Sequence, residues 1–313
     1  MNTAKRVFDG SRAGQKIAAN IYTSPIAAGG GGKRITLLLA HANGFHKELW
    51  EPTLERMFQR ASPGDYHIAQ AVALDGYNHG DSAILNRASI SGEHESPWFL
   101  HARDILAVVR QLNVPNIIGI GHSWGASSLL LAEILEPRTF AALVATDPVL
   151  MAKPDGNPTL RDITLKRRFE WADERAARAY FEPHPFFKIW HPRILDLYIT
   201  HGIERTVESK LVLKCRPVNE AAVYAGAFSA SPYATKRLAQ VQCPTAFLTG
   251  EISGPSPPTY IEHITREMPD CRRIVLKGRG HLLLHEDPDA TADHYLVFLD
   301  EFAHKIFPSM ANL

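Results

Sequence analysis

The chain has 313 residues, 45% of them hydrophobic, and a formal net charge of +1. That balance suits a globular protein with a real core, and it leaves no electrostatic footprint for nucleic acid or an anionic membrane as main partner. The length accommodates one α/β core with an insertion.

In chain order, residues 6–8 and 16–22 read as a first antiparallel strand pair. The glycine run Gly29-Gly30-Gly31-Gly32 follows. No Lys-Ser/Thr comes after it and it opens no helix, so it reads as a surface connection and not a phosphate loop. Ile35-Thr36-Leu37-Leu38-Leu39 reads as a buried strand, residues 50–61 as a helix, 68–74 as a strand and 99–112 as an amphipathic helix. Ile117-Ile118-Gly119-Ile120 is short, apolar and partly β-branched, a buried strand. Residues 126–135 carry Leu129, Leu130, Ile134 and Leu135, a helix closed by Pro137. A strand at 141–145 completes the first half. The alternation predicts a mostly parallel sheet covered by helices on both faces.

After Pro148 the pattern changes. Residues 151–228 read as helical, rich in charges and aromatics, with no clear buried strand. Helices are expected at 173–180 and 192–201. Trp171, Phe181, Phe186, Phe187 and Trp190 supply apolar surface, most of it for the insertion's own core. Such an insertion would sit over the carboxyl ends of the strands, where open α/β sheets bind ligands. The expected division is a core of residues 1–150 and 229–313 and a helical lid of 151–228. The sheet resumes at 245–249 and 273–276, and a last helix spans 290–306.

Between the strand at 117 and the helix at 126 stands Gly121-His122-Ser123-Trp124-Gly125. A serine between two glycines on a strand-to-helix turn is a nucleophile elbow: the turn lifts the hydroxyl out of the sheet above a helix N-terminus. A serine needs a base. In this motif's chain order the base comes late, and Gly278-Arg279-Gly280-His281 follows the last strand. His285 is the rival; it follows Leu282-Leu283-Leu284 on the way to the last helix. Two carboxylates compete to orient the histidine. Asp147 ends the strand after the elbow, in Thr146-Asp147-Pro148, and is preferred. Glu251 follows Gly250 in the turn after the next-to-last strand and is the alternative. Oxyanion donors are expected from Trp124, directly after the serine, and from Asn43 in His41-Ala42-Asn43-Gly44-Phe45. The polar run from Asp75 to Ser82 reads as a structural turn without catalytic role.

Cys215, Cys243 and Cys271 are odd in number and lack CxxC spacing, which fits reduced thiols. His281 and His285 are four apart, but no Glu follows the first and glycines precede it, so a helical zinc site is not expected. No metal or organic cofactor is called for. Residues 1–15 are polar, so no signal peptide is expected, and no stretch approaches the ~20 apolar residues of a membrane span.

On these motifs the chain resembles the α/β-hydrolases over nearly its whole length. Gly121-His122-Ser123-Trp124-Gly125 is similar to the Gly-His-Asp-Trp-Gly elbow of haloalkane dehalogenases and epoxide hydrolases. The dehalogenases also carry His-Gly-Asn before a Trp at the spacing of His41-Ala42-Asn43 to Trp50. Some place their acid after the strand following the elbow, which favours Asp147. The resemblance breaks at Ser123: aspartate forms an alkyl-enzyme ester, whereas serine implies an acyl substrate. Residues 41–49 (His41 to Leu49) and Leu211-Val212-Leu213-Lys214-Cys215-Arg216-Pro217 resemble fungal toxin-biosynthesis hydrolases, some of them peroxisomal. Ala311-Asn312-Leu313 resembles a variant peroxisomal address seen in catalase.

Together these readings predict a serine hydrolase, peroxisomal or cytoplasmic, acting on an ester, thioester or lactone of an apolar small molecule in secondary metabolism. Release of the acyl group by an internal hydroxyl would make it a cyclase. The same fold also serves ligand receptors with slow turnover, a second expectation.

Overall fold

The computed structural model describes residues 1–24, 32–61, 66–90, 97–152 and 159–306. Gly29, Gly30 and Gly31 of the glycine run, and the Ala311-Asn312-Leu313 tail, lie outside these residues. The strands are β1 (Asn2–Asp9), β2 (Lys16–Thr23), β3 (Lys33–Ala40), β4 (Tyr66–Leu74), β5 (Ile117–His122), β6 (Ala142–Thr146), β7 (Glu170–Trp171), β8 (Ile203–Arg205), β9 (Leu211–Leu213), β10 (Thr245–Gly250) and β11 (Cys271–Leu276). Eight of them form one sheet in the order β1-β2-β4-β3-β5-β6-β10-β11. β2 runs antiparallel to both β1 and β4; the remaining pairs are parallel.

The sheet is buried on both faces because its central strands are apolar at successive positions, as parallel strands must be when helices cover both sides. In β3, Leu38 and Ala40 join the core beneath the helices Pro97–Leu112 and Trp124–Leu135. Ile35, Leu37 and Leu39 face the opposite core, closed by Glu51–Arg60 and Pro288–Ile306. From that last helix Tyr295, Phe298, Leu299 and Phe302 are buried, each contributing roughly 1.5–3 kcal/mol.

β5 has an asymmetric composition with a structural purpose. Ile118 and Ile120 fill one face. Gly121 lies on the other, where a Cβ would come within 2.5 Å of the Ala126 backbone. A Cβ on Gly125 would come within 2.2 Å of the Ala40 carbonyl oxygen. The two glycines let the helix Trp124–Leu135 pack directly onto the sheet and keep the turn tight. Alanine at Gly125 has backbone, not a flexible side chain, in its way.

Residues after β6 differ from the expectation in one respect. The helices are present, at Thr159–Lys166, Glu174–Phe181, Pro185–Lys188 and Pro192–Gly202. Between and beyond them β7, β9 and β8 make a small antiparallel sheet in that order. These strands have two or three residues each, too short to show a period of two, and the buried Leu211–Leu213 is one of them. The helix Pro217–Thr235 runs without a break through residue 228, where the lid was expected to end. Most of the aromatics do pack on one another: Trp171, Phe181, Phe187, Trp190 and Tyr198 share a cluster with Phe45 and Leu282 of the core. Phe186 stays exposed at 45%.

Candidate functional site

The serine stands where β5 gives way to the helix, with φ 54° and ψ −118°. A non-glycine residue there stores about 1–3 kcal/mol of backbone strain, held by the surrounding structure. The fixing bonds are visible: Ser123 N–H donates to Thr146 C=O (2.9 Å), and Ser127 N–H donates to Ser123 C=O (3.1 Å). Ser123 is 6% exposed and faces a cavity of about 790 Å³.

His281 arrives from the loop after β11. Its Nε2 accepts from the Ser123 hydroxyl (2.9 Å), and its Nδ1 donates to Asp147 Oδ1 (2.6 Å). One carboxylate thereby selects the tautomer in which Nε2 is a free acceptor. The loop is positioned from below by His122, whose Nε2–H donates to the His281 carbonyl (2.8 Å). Burial pushes the His122 imidazole down to about 3, so it stays neutral and acts as a fixed donor.

Asp147 is fully buried with φ 44°. Besides His281 it accepts from Gly250 N–H (2.9 Å) and the Ser253 hydroxyl (2.6 Å). Four acceptor directions meet three donors, so the buried charge is satisfied. Glu251 points elsewhere: its Oε2 accepts from Gly278 N–H at 2.8 Å. Of the two carboxylates named from the sequence, Asp147 contacts the histidine. Ser253, two residues past Glu251, solvates the acid. His285, the rival base, stacks on Trp190 at 4.8 Å and 27°, and burial drives its basicity far down.

The loop 42–45 is tied from both sides. Gly44, at φ 81°, donates its N–H to His79 Nε2 (2.9 Å), and Asn43 donates Nδ2–H to the Glu220 carbonyl (3.1 Å). The Asn43 side chain is thus spent on the helix Pro217–Thr235. Trp124 opens the helix after the serine, where N–H groups have no carbonyl one turn back. Its indole stacks on His101 at 4.3 Å and 26° and packs near His41 and His79. Burial lowers His41 to about 4 and His101 to about 3, and lowers His79 well below the ordinary value. His79, in the turn read as purely structural, holds the loop that carries Asn43.

Two polar groups had no signal in the sequence. Arg167 and Glu220 are 53 residues apart in the chain yet paired in the wall of the cavity, Nη1 to Oε2 at 2.5 Å. Below the site Lys47 is 1% exposed and bonds Asp75 (2.7 Å), Asp81 (2.7 Å) and Glu48 (2.9 Å). Lys214, just after β9, closes on the other oxygen of Asp81 at 2.6 Å. Most of the remaining cavity lining is apolar, including Phe45, Trp98, Leu150, Val223 and Phe187, with Arg161, Tyr224 and Tyr260 as further polar members. Among the described residues no group of three or more metal-ligating side chains occurs, and no helix is long and apolar enough to cross a membrane.

Comparison with known proteins agrees with this fold. The chain is 25% identical over 298 residues to "Peroxisomal membrane protein LPX1" of Saccharomyces cerevisiae, covering 86% of this chain and 76% of that one. The crystal structure of that yeast peroxisomal alpha-beta-hydrolase superposes with a TM-score of 0.84 at 24% identity, over 97% of this chain and 88% of the other. A "Type I acyl-CoA thioesterase mpaH" of Penicillium brevicompactum is 30% identical over 177 residues, 53% of this chain and 39% of its own length. The chain therefore spans most of the yeast relative but about two fifths of the Penicillium one. The Alpha/beta hydrolase family profile matches residues 37–294, and the chain belongs to that family.

Proposed function

We propose that the protein is a serine hydrolase that cleaves an ester or thioester of a largely apolar acyl compound through an acyl-enzyme. The observation that carries this reading is the line Asp147–His281–Ser123, with its hydroxyl at the wall of an apolar cavity. Ser123 Oγ attacks the carbonyl carbon as His281 Nε2 takes the hydroxyl proton. Asp147 keeps Nδ1 protonated and balances the imidazolium that forms. The oxyanion is received by the N–H of Trp124 and that of Asn43, whose side-chain amide is engaged elsewhere. As the tetrahedral adduct collapses, His281 returns the proton to the leaving alkoxide or thiolate. Water, deprotonated by the same histidine, then attacks the acyl-enzyme and releases the acid. An acyl group carrying its own hydroxyl would close to a lactone instead.

The thioester alternative draws support from the name of the Penicillium relatives, and delivery to peroxisomes from that of the yeast one. Residues 151–228 are proposed as the lid, since their aromatics stand beside the cavity. The test is turnover of p-nitrophenyl esters and acyl thioesters of graded chain length. We expect kcat of about 1 s⁻¹ or more on medium apolar chains, within the usual range for enzymes. Binding with no turnover on any member would favour the receptor reading. An N-terminally labelled full chain in yeast should coincide with a peroxisomal marker; diffuse fluorescence would remove that part alone.

A further inference from the structure

Away from Ser123 and His281 the cavity wall is mostly apolar; its charged residues are Arg161, half exposed beside Asp162, and the more buried pair Arg167 and Glu220. Arg167 ends the turn after the helix Thr159–Lys166; Glu220 lies in the first turn of Pro217–Thr235. Arg167 Nη1 donates to Glu220 Oε2 (2.5 Å) and Nη2 to the Tyr198 hydroxyl (3.1 Å). The Arg167 side chain keeps 25% exposure while that of Glu220 keeps 7%. Both line the cavity. The pair also abuts the loop beside Ser123: a Cβ on Gly44 would come within 3.0 Å of Glu220 Oε1, and the Glu220 carbonyl holds Asn43.

A buried ion pair contributes little net stability compared with apolar packing. A pocket meant only for hydrocarbon would be better lined without it. Guanidinium carries five N–H donors and no acceptor. Two of its bonds fix the fork against Glu220 and Tyr198, and the side chain lines the cavity with 25% of its surface exposed, which leaves donors to spare for a ligand there. The charge balance decides what they accept. Arg167 and Glu220 together are neutral, and Arg161, the other cation of the lining, is half exposed and stands 3.9 Å from Asp162, so a carboxylate bound at Arg167 would leave one uncompensated negative charge in a low-dielectric site. A carbonyl or hydroxyl oxygen takes a charge-assisted bond without that cost.

We propose that Arg167, fixed by Glu220 and Tyr198, recognises an uncharged oxygen function on the acyl part of the substrate, so that the enzyme selects oxygenated acyl groups over plain hydrocarbon chains and over dicarboxylic half-esters. This rests on the serine hydrolase reading of the same cavity. A site built to bond an oxygen discriminates strongly against the analogue that lacks it.

The test compares p-nitrophenyl octanoate with octanoates carrying a carbonyl at carbon 5 or carbon 7, and with the suberic half-ester. The parent should prefer one oxo ester by about ten- to a hundred-fold in kcat/KM, the range for a hydrogen bond to a charged group. In Arg167→Met/Glu220→Gln, which removes both charges together, the ratio of oxo to plain ester should fall to about one. Glu220→Gln alone leaves the guanidinium charge uncompensated and should raise the half-ester relative to the oxo ester by about tenfold or more. A ratio near one in the parent, or one unchanged in the double variant, overturns the proposal. The N-methylamides of the same acids, titrated calorimetrically into Ser123→Ala, read the preference without turnover. Tighter binding of an oxo amide supports the proposal even where no ester is hydrolysed, and equal affinities overturn it whatever the ester kinetics are.

Discussion

Two fully buried aspartates follow strands of the same sheet, β4 and β6, with β3 and β5 between them, and do different work. Asp75 follows β4 and takes the Lys47 ammonium, the Lys47 N–H and the Asp81 N–H. Asp147 follows β6 and takes an imidazole, a hydroxyl and an N–H. Around Asp75 three carboxylates share one buried cation: those of Asp75, Glu48 and Asp81 outweigh the effect of burial and hold Lys47 firmly protonated. Lys214 adds a second cation and ties β9 to the core. Around Asp147 the partner is an imidazole whose second ring nitrogen bonds a strained serine, and it is 23% exposed. A buried carboxylate becomes part of a reactive site when its partner is an imidazole that also reaches a nucleophile; with a permanent cation it is a clamp.

That contrast can be broken at either end. The largest effect is expected at Asp147. Asp147→Asn keeps the shape, loses the tautomer selection, and should lower the rate about 10⁴-fold, as for other triads; stopped-flow or endpoint ester assays would check it, and a loss under tenfold would detach Asp147 from the chemistry. At the other cluster, Lys47→Met leaves three acidic side chains without their shared cation. It should cost about 3–5 kcal/mol of stability, the usual cost of breaking a buried pair, read from urea midpoints. A variant as stable as the parent would mean that the cluster is not a clamp.

A smaller effect per group follows from the neutral histidines that support both loops. Burial lowers His41, His79, His101, His122 and His285 below their ordinary value. A lowered folded-state value means stability is fully present above about pH 6.5 and is lost as pH falls toward 3–4. At pH 5 each such histidine forfeits about 2 kcal/mol. Asp104, raised by burial to about 6, opposes this, as do Glu51, Glu133 and Glu220, which burial also raises, because their neutral forms are favoured on acidification; these are four against five histidines. The histidines outnumber them, so urea midpoints should fall from pH 7 to pH 5; a flat profile would contradict the burial of the histidines in neutral form. The smallest effect belongs to Glu251→Gln. Its carboxylate serves the Gly278 N–H, and ester turnover should change by less than about threefold, within ordinary surface effects.

How much of this was legible depended on whether a signal was local. The elbow was, because two glycines, a serine, a β-branched strand and a helix are adjacent in the chain. His281 was, through chain order. The sequence favours Asp147 with Glu251 as the alternative, since both follow strands; only the fold reveals that Ser253 turns toward Asp147. β7, β8 and β9 escaped notice at two or three residues each. No local signal marks Lys47 as buried; its place follows from Asp75, Asp81 and Lys214 converging from elsewhere. Arg167 and Glu220 lie on separate helical segments with no motif to link them.

The most direct measurement is intact mass after treatment with a fluorophosphonate, which captures a serine activated by its histidine. The parent should gain one adduct, mapped by peptide analysis to Ser123, and Ser123→Ala should gain none while keeping the parent's unfolding midpoint. Equal labelling of Ser123→Ala, or an adduct mapped to another residue, would contradict the assignment of Ser123 as the nucleophile.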